Sequence, residues 1–245
     1  MSESKHYPNL QHLAVIPDGN RRWAKAHLLL PWQGHVEGVK RFWELAEACK
    51  DSGIKYLTFW AGSYSNLEKR TKEEVDVLYR LWAEELEKPE LMDKLMNNKI
   101  SLKVIGEWED FARDSSLKQA LLDVEKKTEQ FTDHRITILF GYDGQREMLS
   151  TINKLVSIKS NSASEGADGQ LTAQDIHENL MTSSLPDVDF VIRTGGEPHW
   201  SAGFLMWQTA NSQFYFTDEL WPDFKTPQLK TALEDFERRE RRMGK

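Results

Sequence analysis

The chain has 245 residues, 39% aliphatic or aromatic and 29% charged, with a formal net charge of −7. That balance is globular and suits one α/β domain; it excludes a disordered chain and argues against a general nucleic-acid binder. A lone cysteine, Cys49, excludes an internal disulfide, no apolar run has the length of a membrane span, and residues 1–10 are polar, so a reducing, cytoplasmic setting is expected.

Residues 1–11 are expected to form an N-terminal tail, and residues 12–245 one domain. His12-Leu13-Ala14-Val15-Ile16 reads as a buried strand that ends at Pro17-Asp18-Gly19-Asn20. The spacing predicts a helix over 36–50, with Cys49 packed in the core. Tyr56-Leu57-Thr58-Phe59-Trp60 is the next strand, and 72–96 carries helical spacing with many charges. Further strands are expected over 101–105, 136–141, 189–192 and 213–216. Residues 157–169, rich in Ser, Asn, Ala and Gly, read as a mobile surface loop. The charged tail after Phe236 reads as a solvated helix end. Apolar strands alternating with helices predict an α/β single domain: a central, mostly parallel six-stranded sheet flanked by helices.

Ligands of open parallel sheets bind at the carboxyl ends of the strands. Three polar clusters follow strands here. Asp18-Gly19-Asn20-Arg21-Arg22-Trp23 combines close backbone approach at Gly19, a hard-cation ligand in Asp18 and a bidentate phosphate partner in Arg22. Its bland alternative is an Asp-Gly turn with a helix cap. Ala61-Gly62-Ser63-Tyr64-Ser65-Asn66, with Lys69-Arg70 after it, reads equally as a loop and N-cap. Arg193-Thr194-Gly195-Gly196-Glu197-Pro198-His199-Trp200-Ser201 places a Gly pair, a cation and a hydroxyl directly after a strand. Three such ends favour an anionic ligand, and the chain lacks both the Walker and the dinucleotide glycine fingerprints.

These segments, together with Gly34-His35-Val36-Glu37-Gly38, Tyr215-Phe216-Thr217-Asp218, Leu220-Trp221-Pro222-Asp223-Phe224 and Arg242-Met243-Gly244, resemble the motifs of the cis-prenyltransferase family, in order, from about His12 to Gly244. The resemblance implies that fold and an enzyme joining isopentenyl diphosphate to an allylic diphosphate with Mg²⁺. Asp18 and Asn66 would be catalytic, Asn66 through proton removal or leaving-group geometry. Gly19, Asn20, Arg21, Arg22, Trp23, His35 and Arg70 would hold the allylic diphosphate. Arg193, His199 and Ser201 would hold isopentenyl diphosphate, joined by Arg242 and Gly244 across a homodimer interface. Asp18 and Gln213 would meet the metal. Ala61, Leu139 and Phe140 would border an apolar chain-length tunnel, alternation allowing only one of Leu139 and Phe140 to face it. No nucleic acid is implied as a partner; peripheral membrane contact for product release is.

The sequence departs from the family pattern in four places. Leu67 stands where an aromatic is usual, Pro198-His199-Trp200 lacks an expected arginine, Gln213 replaces a glutamate, and Pro31 replaces an arginine common in bacterial members. Two alternatives stay open: a non-catalytic subunit of a heteromeric prenyltransferase, and an enzyme coupling two allylic units in a branched product.

Overall fold

The structure is a computed structural model, and it describes residues 5–111, 116–162 and 170–239, with the side chains of 161 and 162 excepted. The strands are β1 (His12–Ile16), β2 (Tyr56–Gly62), β3 (Ile100–Ile105), β4 (His134–Phe140), β5 (Phe190–Arg193) and β6 (Gln213–Phe216). The helices are α1 (Asn20–Ala26), α2 (Pro31–Asp51), α3 (Tyr64–Lys69), α4 (Lys72–Leu86), α5 (Pro89–Asn97), α6 (Ser116–Thr128), α7 (Gly144–Ser162), α8 (Ala173–Asn179) and α9 (Thr226–Arg238). All six strands run parallel in the order β3-β4-β2-β1-β5-β6.

That order has a switch point. From β1 the chain goes to β2 on one side, and β5, which follows later, lies against β1's other edge. The loops leaving β1 and β5 therefore diverge and open a crevice at the carboxyl end, where such sheets bind ligands. Register makes the crevice specific: Ile16 is level with Arg193.

Alternation splits the core by face. Leu13, Val15, Phe59, Ile138 and Phe140 pack under α2, α4 and α6 in the larger cluster. Ala14, Ile16, Trp60, Leu139 and Val191 point to the other side, against Phe204 and Leu205. The inner strands β1, β2, β4 and β5 are accordingly largely buried on both faces and read as near-continuous apolar runs, while edge strand β6 is only half-buried. Helix α2 buries Val39, Phe42, Leu45, Ala46 and Cys49, a helical spacing, and burial pushes the Cys49 thiol up. The residues before β1 are not loose: Tyr7 and Leu10 are buried in the larger cluster, and Asp189 accepts from the backbone N–H groups of Gln11 and His12 at 2.8 and 3.0 Å.

Three expectations need correction. The helix expected over 72–96 is two, because Pro89 cannot continue the hydrogen-bond ladder of α4 and instead opens α5. The loop expected over 157–169 is helical as far as Ser162; the Ser157 and Ser160 hydroxyls donate back to the carbonyls of Asn153 and Val156, so these residues are accommodated in a helix. Residues 163–169 lie outside the described residues. The helix expected over 36–50 starts earlier, with Pro31 at its first turn.

One buried polar group ties β1 to β2. His12 is fully buried; its Nδ1 lies 3.0 Å from the Pro186 carbonyl and its Nε2 2.8 Å from the Thr58 hydroxyl. The carbonyl can only accept, so Nδ1 carries the proton and Nε2 accepts from Thr58. Burial pushes His12 down to about 4. The unfolded chain takes up a proton near the ordinary imidazole value, about 6.5, while the folded chain does not. Folding stability from this group is therefore complete above about pH 6.5 and declines as pH falls towards 4. Denaturant titrations across pH 7.5 to 4.5 should show that His12→Gln loses less stability on acidification than the wild type. An equal loss in both would mean that His12 is not the acid-sensitive tie.

Candidate functional site

The site is built where β1, β2 and β5 end. Beyond β1, Asp18 turns at Gly19, whose φ of 116° is open to glycine. Its Cβ position would also meet Leu220 at 2.8 Å. Helix α1 follows and lies so close on α2 that a Cβ at Gly34 would sit 2.0 Å from the Asn20 carbonyl oxygen, and one at Gly38 2.2 Å from Asn20 Oδ1. The motif glycines thus bring Arg21, Arg22 and His35 to one place. The chain strand of the first loop is held from both sides: the Asp18 carbonyl accepts from Thr194 Oγ1 at 2.7 Å and from the Trp221 N–H at 3.0 Å.

Asp18 is the hub. Its Oδ1 accepts from Arg22 Nη2 at 3.0 Å and its Oδ2 from Arg193 Nη2 at 3.2 Å. Arg193, buried at 5% exposure, also donates through Nη1 to the His199 carbonyl at 2.8 Å and to the Ser201 hydroxyl. Arg22 donates to the Gly195 carbonyl at 2.7 Å, an approach that a Cβ on Gly195 would block, since it would lie 2.6 Å from the guanidinium. One carboxylate thus stands between two arginines carried by different strand ends.

A second cationic group faces the same cleft without a carboxylate hub. Burial pulls Arg70 below its ordinary value; Glu74 opposes this and Arg21 adds to it. Arg70 Nη1 is buried with no hydrogen-bond partner. Burial first, then Arg70 and Arg21, pushes His35 down to about 3, so its imidazole is neutral at physiological pH. Two arginines, one of them with an unpartnered buried N–H, and a neutral imidazole converge on a cavity, a set that suits an anion.

The cavity holds about 1000 Å³ and joins both groups. Asp18, Gly19, Asn20, Arg21, Arg22 and His35 line it, as do Ser63, Asn66, Arg70, Arg193 and Ser201. A bulge in β2, with Trp60 level with Leu139 and Gly62 with Phe140, leaves Ala61 unpaired at the cavity wall. Away from the polar end the lining is apolar: Val39, Phe59, Leu78, Leu81, Trp82 and Trp221. The cavity therefore suits a ligand with an anionic head and an apolar tail, with room for a second anion beside Arg193.

Several expected residues stand elsewhere. Trp23 turns its indole to Asp223, donating at 2.9 Å, and stacks on His27 instead of lining the cavity. Leu139 packs on the opposite sheet face, and Phe140 lies behind Gly62 against Tyr79, so neither lines the cavity. Gln213 opens β6 level with Phe190, three residues from the level of Arg193 and so about 10 Å along the strand. Within one chain it does not join Asp18, and the metal-ligand expectation for Gln213 is not met there. His199 adjoins the cavity through Ser201 without lining it. Arg242 and Gly244 lie outside the described residues. Lys25, Leu28 and Leu29 line the cavity and were not singled out from sequence, while Trp221, quoted there only within a motif, also lines it. Only the unusual run of Leu28-Leu29-Leu30 beside a charged segment signals the first group.

Comparison with known proteins gives the same reading. The family model described as "Putative undecaprenyl diphosphate synthase" matches residues 16–244. The isoprenyl transferase of Thermus thermophilus is 38% identical over 248 residues, spanning all of this chain and 92% of that protein. A tritrans,polycis-undecaprenyl-diphosphate synthase (geranylgeranyl-diphosphate specific) of Thermoplasma acidophilum is 32% identical, spanning all of this chain and 93% of that one. Among solved structures, lavandulyl diphosphate synthase from Lavandula x intermedia, in complex with dimethylallyl diphosphate, superposes with a TM-score of 0.85 at 28% identity, covering 96% of this chain and 98% of that one. With one strand-end site, one fold and one family model all spanning the chain, it belongs to the undecaprenyl diphosphate synthase family and is a cis-prenyltransferase.

Proposed function

We propose that the protein condenses isopentenyl diphosphate with an allylic prenyl diphosphate, releasing diphosphate and leaving a new cis double bond. The observation that carries this reading is the single cavity in which Asp18 stands between Arg22 and Arg193 while Arg21, Arg70 and His35 face its other polar wall. Two anionic heads and one apolar tail fill such a space.

In this reading the allylic diphosphate lies against Gly19, Asn20, Arg21, Arg22, His35 and Arg70, with its prenyl tail towards Phe59 and Trp82. Isopentenyl diphosphate lies against Arg193 and Ser201. The allylic C–O bond breaks and the electron pair leaves with the diphosphate. Arginine donors fixed beforehand stabilise the charge that develops there. The alkene of isopentenyl diphosphate attacks the allylic carbon, a C–C bond forms, and a proton leaves the carbon beside the new cation to make the double bond. Asn66, on the cavity wall in α3, is placed to orient the leaving group or that proton. Ser63 caps α3 by accepting from the Asn66 N–H at 3.0 Å, which fixes that backbone.

A divalent cation fits the donor set. Among the described residues no three His, Cys, Asp or Glu side chains gather as a metal cage. One carboxylate facing a phosphate cavity is what Mg²⁺ takes when substrate phosphates and water supply its other ligands. Asp18 would hold it, and the ion would neutralise charge on the diphosphate. The intact Asp18 loop also favours an enzyme over a non-catalytic subunit. The likeness to lavandulyl diphosphate synthase, and the altered segment around Pro198 to Gly203, keep branched coupling of two allylic units as the second reading.

Assembly as a homodimer is part of the proposal. Leu149, Ile152 and Val156 lie at helical spacing on α7 and are 62%, 41% and 54% exposed. Such a stripe fits burial against a second copy. No helix among the described residues is long and apolar enough to cross a membrane.

Three outcomes follow. Asp18→Ala should lower kcat by about 10³-fold or more in steady-state assays with Mg²⁺, while Asp18→Asn keeps the circular dichroism spectrum and thermal midpoint near wild type. Near-normal turnover in both variants would remove Asp18 from the mechanism. Sedimentation should give a dimer for the wild type and a monomer for the Leu149→Glu, Val156→Glu double variant; mixing Asp18→Ala with Arg242→Ala should restore activity if the tail serves the partner's site. A monomeric wild type would overturn the assembly. Because Trp82 lines the apolar end of the cavity and Leu139 does not, chromatographic sizing should show longer products from Trp82→Ala and unchanged products from Leu139→Ala. The reverse pattern would return the stop to β4.

A further inference from the structure

Behind the cavity wall at the end of β2 lies a buried carboxylate that the reaction scheme leaves unused. Asp143 follows β4 and is 4% exposed. Its Oδ2 accepts from the Ser65 N–H at 3.1 Å and from the Ser65 hydroxyl. Its Oδ1 is buried without a hydrogen-bond partner. Ser65, in the first turn of α3, lines the cavity next to Asn66, whereas Asp143 does not line it. The hydroxyl is the face of the pair that a substrate meets, and the carboxylate stands behind it.

Helix capping accounts for one of these bonds. The first N–H groups of a helix lack intrahelical partners, and Asp143 supplies one to Ser65. The hydroxyl bond adds a direction. A carboxylate only accepts at neutral pH, so Ser65 gives its hydrogen to Asp143 and keeps its lone pairs for the cavity. A hydroxyl held in this way has no hydrogen for a phosphate oxygen; what it can take from a reacting molecule is a proton. Arg146, in the first turn of α7, is engaged by Glu107 at 2.7 and 3.0 Å, so its charge is not spent on Asp143. A buried carboxylate with one oxygen unpartnered is costly to keep, and such a cost marks a group with a task beyond packing.

The pair is held on fixed backbone. The Asp143 carbonyl accepts from the Glu147 N–H at 3.0 Å as α7 opens, and the Gln145 N–H donates to the Ala202 carbonyl at 3.3 Å. A Cβ on Gly144 would clash with the Gly203 carbonyl oxygen, so the start of α7 is pressed onto this segment. Ser65 is thereby tied to the wall formed by Ser201 and Ala202, while its own helix carries Asn66 on the same cavity.

We propose that Asp143 is a positioning residue for the proton-loss step: it aims the Ser65 lone pair into the cavity, and Ser65 is the catalytic residue that takes the carbon proton. This rests on the assignment of the cavity to isopentenyl diphosphate and an allylic diphosphate. After the C–C bond has formed, the C–H bond beside the cation breaks and its electron pair becomes the new double bond. The proton bonds to Ser65 Oγ as the Ser65 hydrogen passes to Asp143 Oδ2. When the product leaves, the hydrogen returns from Asp143 to Ser65 and one proton passes from Ser65 to water, which restores the carboxylate. Asn66 is then left to the departing diphosphate.

The test is steady-state kinetics of the whole protein with Mg²⁺, an allylic diphosphate, and isopentenyl diphosphate carrying either hydrogen or deuterium at C2, the carbon that loses the proton. Asp143→Asn can accept the same two hydrogen bonds but cannot take the hydrogen. It should keep the thermal midpoint and both KM values close to wild type and lower kcat about 10²-fold or more. The deuterium isotope effect on kcat should rise above the wild-type value, because proton loss becomes slow. Ser65→Ala removes the relay from the cavity side, should give the same pattern, and carries the test if Asp143→Asn does not fold. A merely structural role would lower the thermal midpoint and leave the isotope effect where it is in the wild type. An unchanged isotope effect in either variant that folds overturns the proposal, whether or not kcat falls. If the wild type turns over under that result, only the role of Ser65 and Asp143 fails; if the wild type incorporates no isopentenyl unit with any allylic starter, the reaction assignment fails and this role with it.

Discussion

The structure depends on the register between two parallel strands. β1 and β5 are neighbours although most of the chain separates them, and Ile16 is level with Arg193. Two residues beyond Ile16 the chain presents Asp18, so a carboxylate from the first loop meets a buried guanidinium from the fifth strand. Slipping this pairing by one residue would exchange the sheet faces of every side chain on β5 and carry Arg193 away from the crevice. The polar centre is thus held by the apolar core: Val15, Phe190 and Ile192 on one face and Ala14, Ile16 and Val191 on the other lock the register that the chemistry needs. Backbone ties close it, since the Asp18 carbonyl accepts from both Thr194 and Trp221.

Charge is distributed unequally around that centre, and the inequality carries the function. Arg22 and Arg193 share Asp18, whereas Arg70 has a buried N–H without a partner, and His35 beside it is depressed first by burial and then by Arg70 and Arg21. A folded chain tolerates such partly compensated cations at a site that suits an anion. The apolar end of the same cavity is walled by Phe59, Trp82 and Trp221, with Phe59 packed 5.2 Å from Trp221 and Phe42 set between Phe59, on which it is tilted, and Trp82, which it meets edge-on. In the proposed reaction, ionisation would be favoured at one end, and the growing hydrocarbon would be kept from water at the other.

Much of this was legible in the chain. The strands announced themselves as apolar runs because both faces of a parallel sheet are covered, and the polar clusters after β1, β2 and β5 fell at the ends where such sheets bind ligands. Asp18, Arg22 and Arg193 could be picked out by residue type, but their mutual contacts could not, since strand order is a long-range property. Misplacements have local causes. Trp23 lies within the first motif, yet helical spacing turns its indole to Asp223. Leu139 and Phe140 sit in the strand beside the cavity, but alternation sends Leu139 to the far face and the β2 bulge leaves Phe140 behind Gly62. Gln213 shares a motif with residues of the site end but opens its strand at the opposite end. The break at Pro89 was readable in principle, because proline ends helices; the helical run from 157 to 162 was not, because its composition is that of a loop.

The central claim is that one cavity joins two diphosphate substrates head to tail with cis geometry. It is tested most directly by incubating the purified wild-type chain with Mg²⁺, labelled isopentenyl diphosphate and a series of allylic diphosphates of increasing length, then determining product size and double-bond configuration by mass spectrometry and NMR. The account predicts products lengthened by five-carbon units from an allylic starter, with cis geometry at each new double bond. No incorporation of label with any starter, or coupling of two allylic units to a branched product, would contradict it.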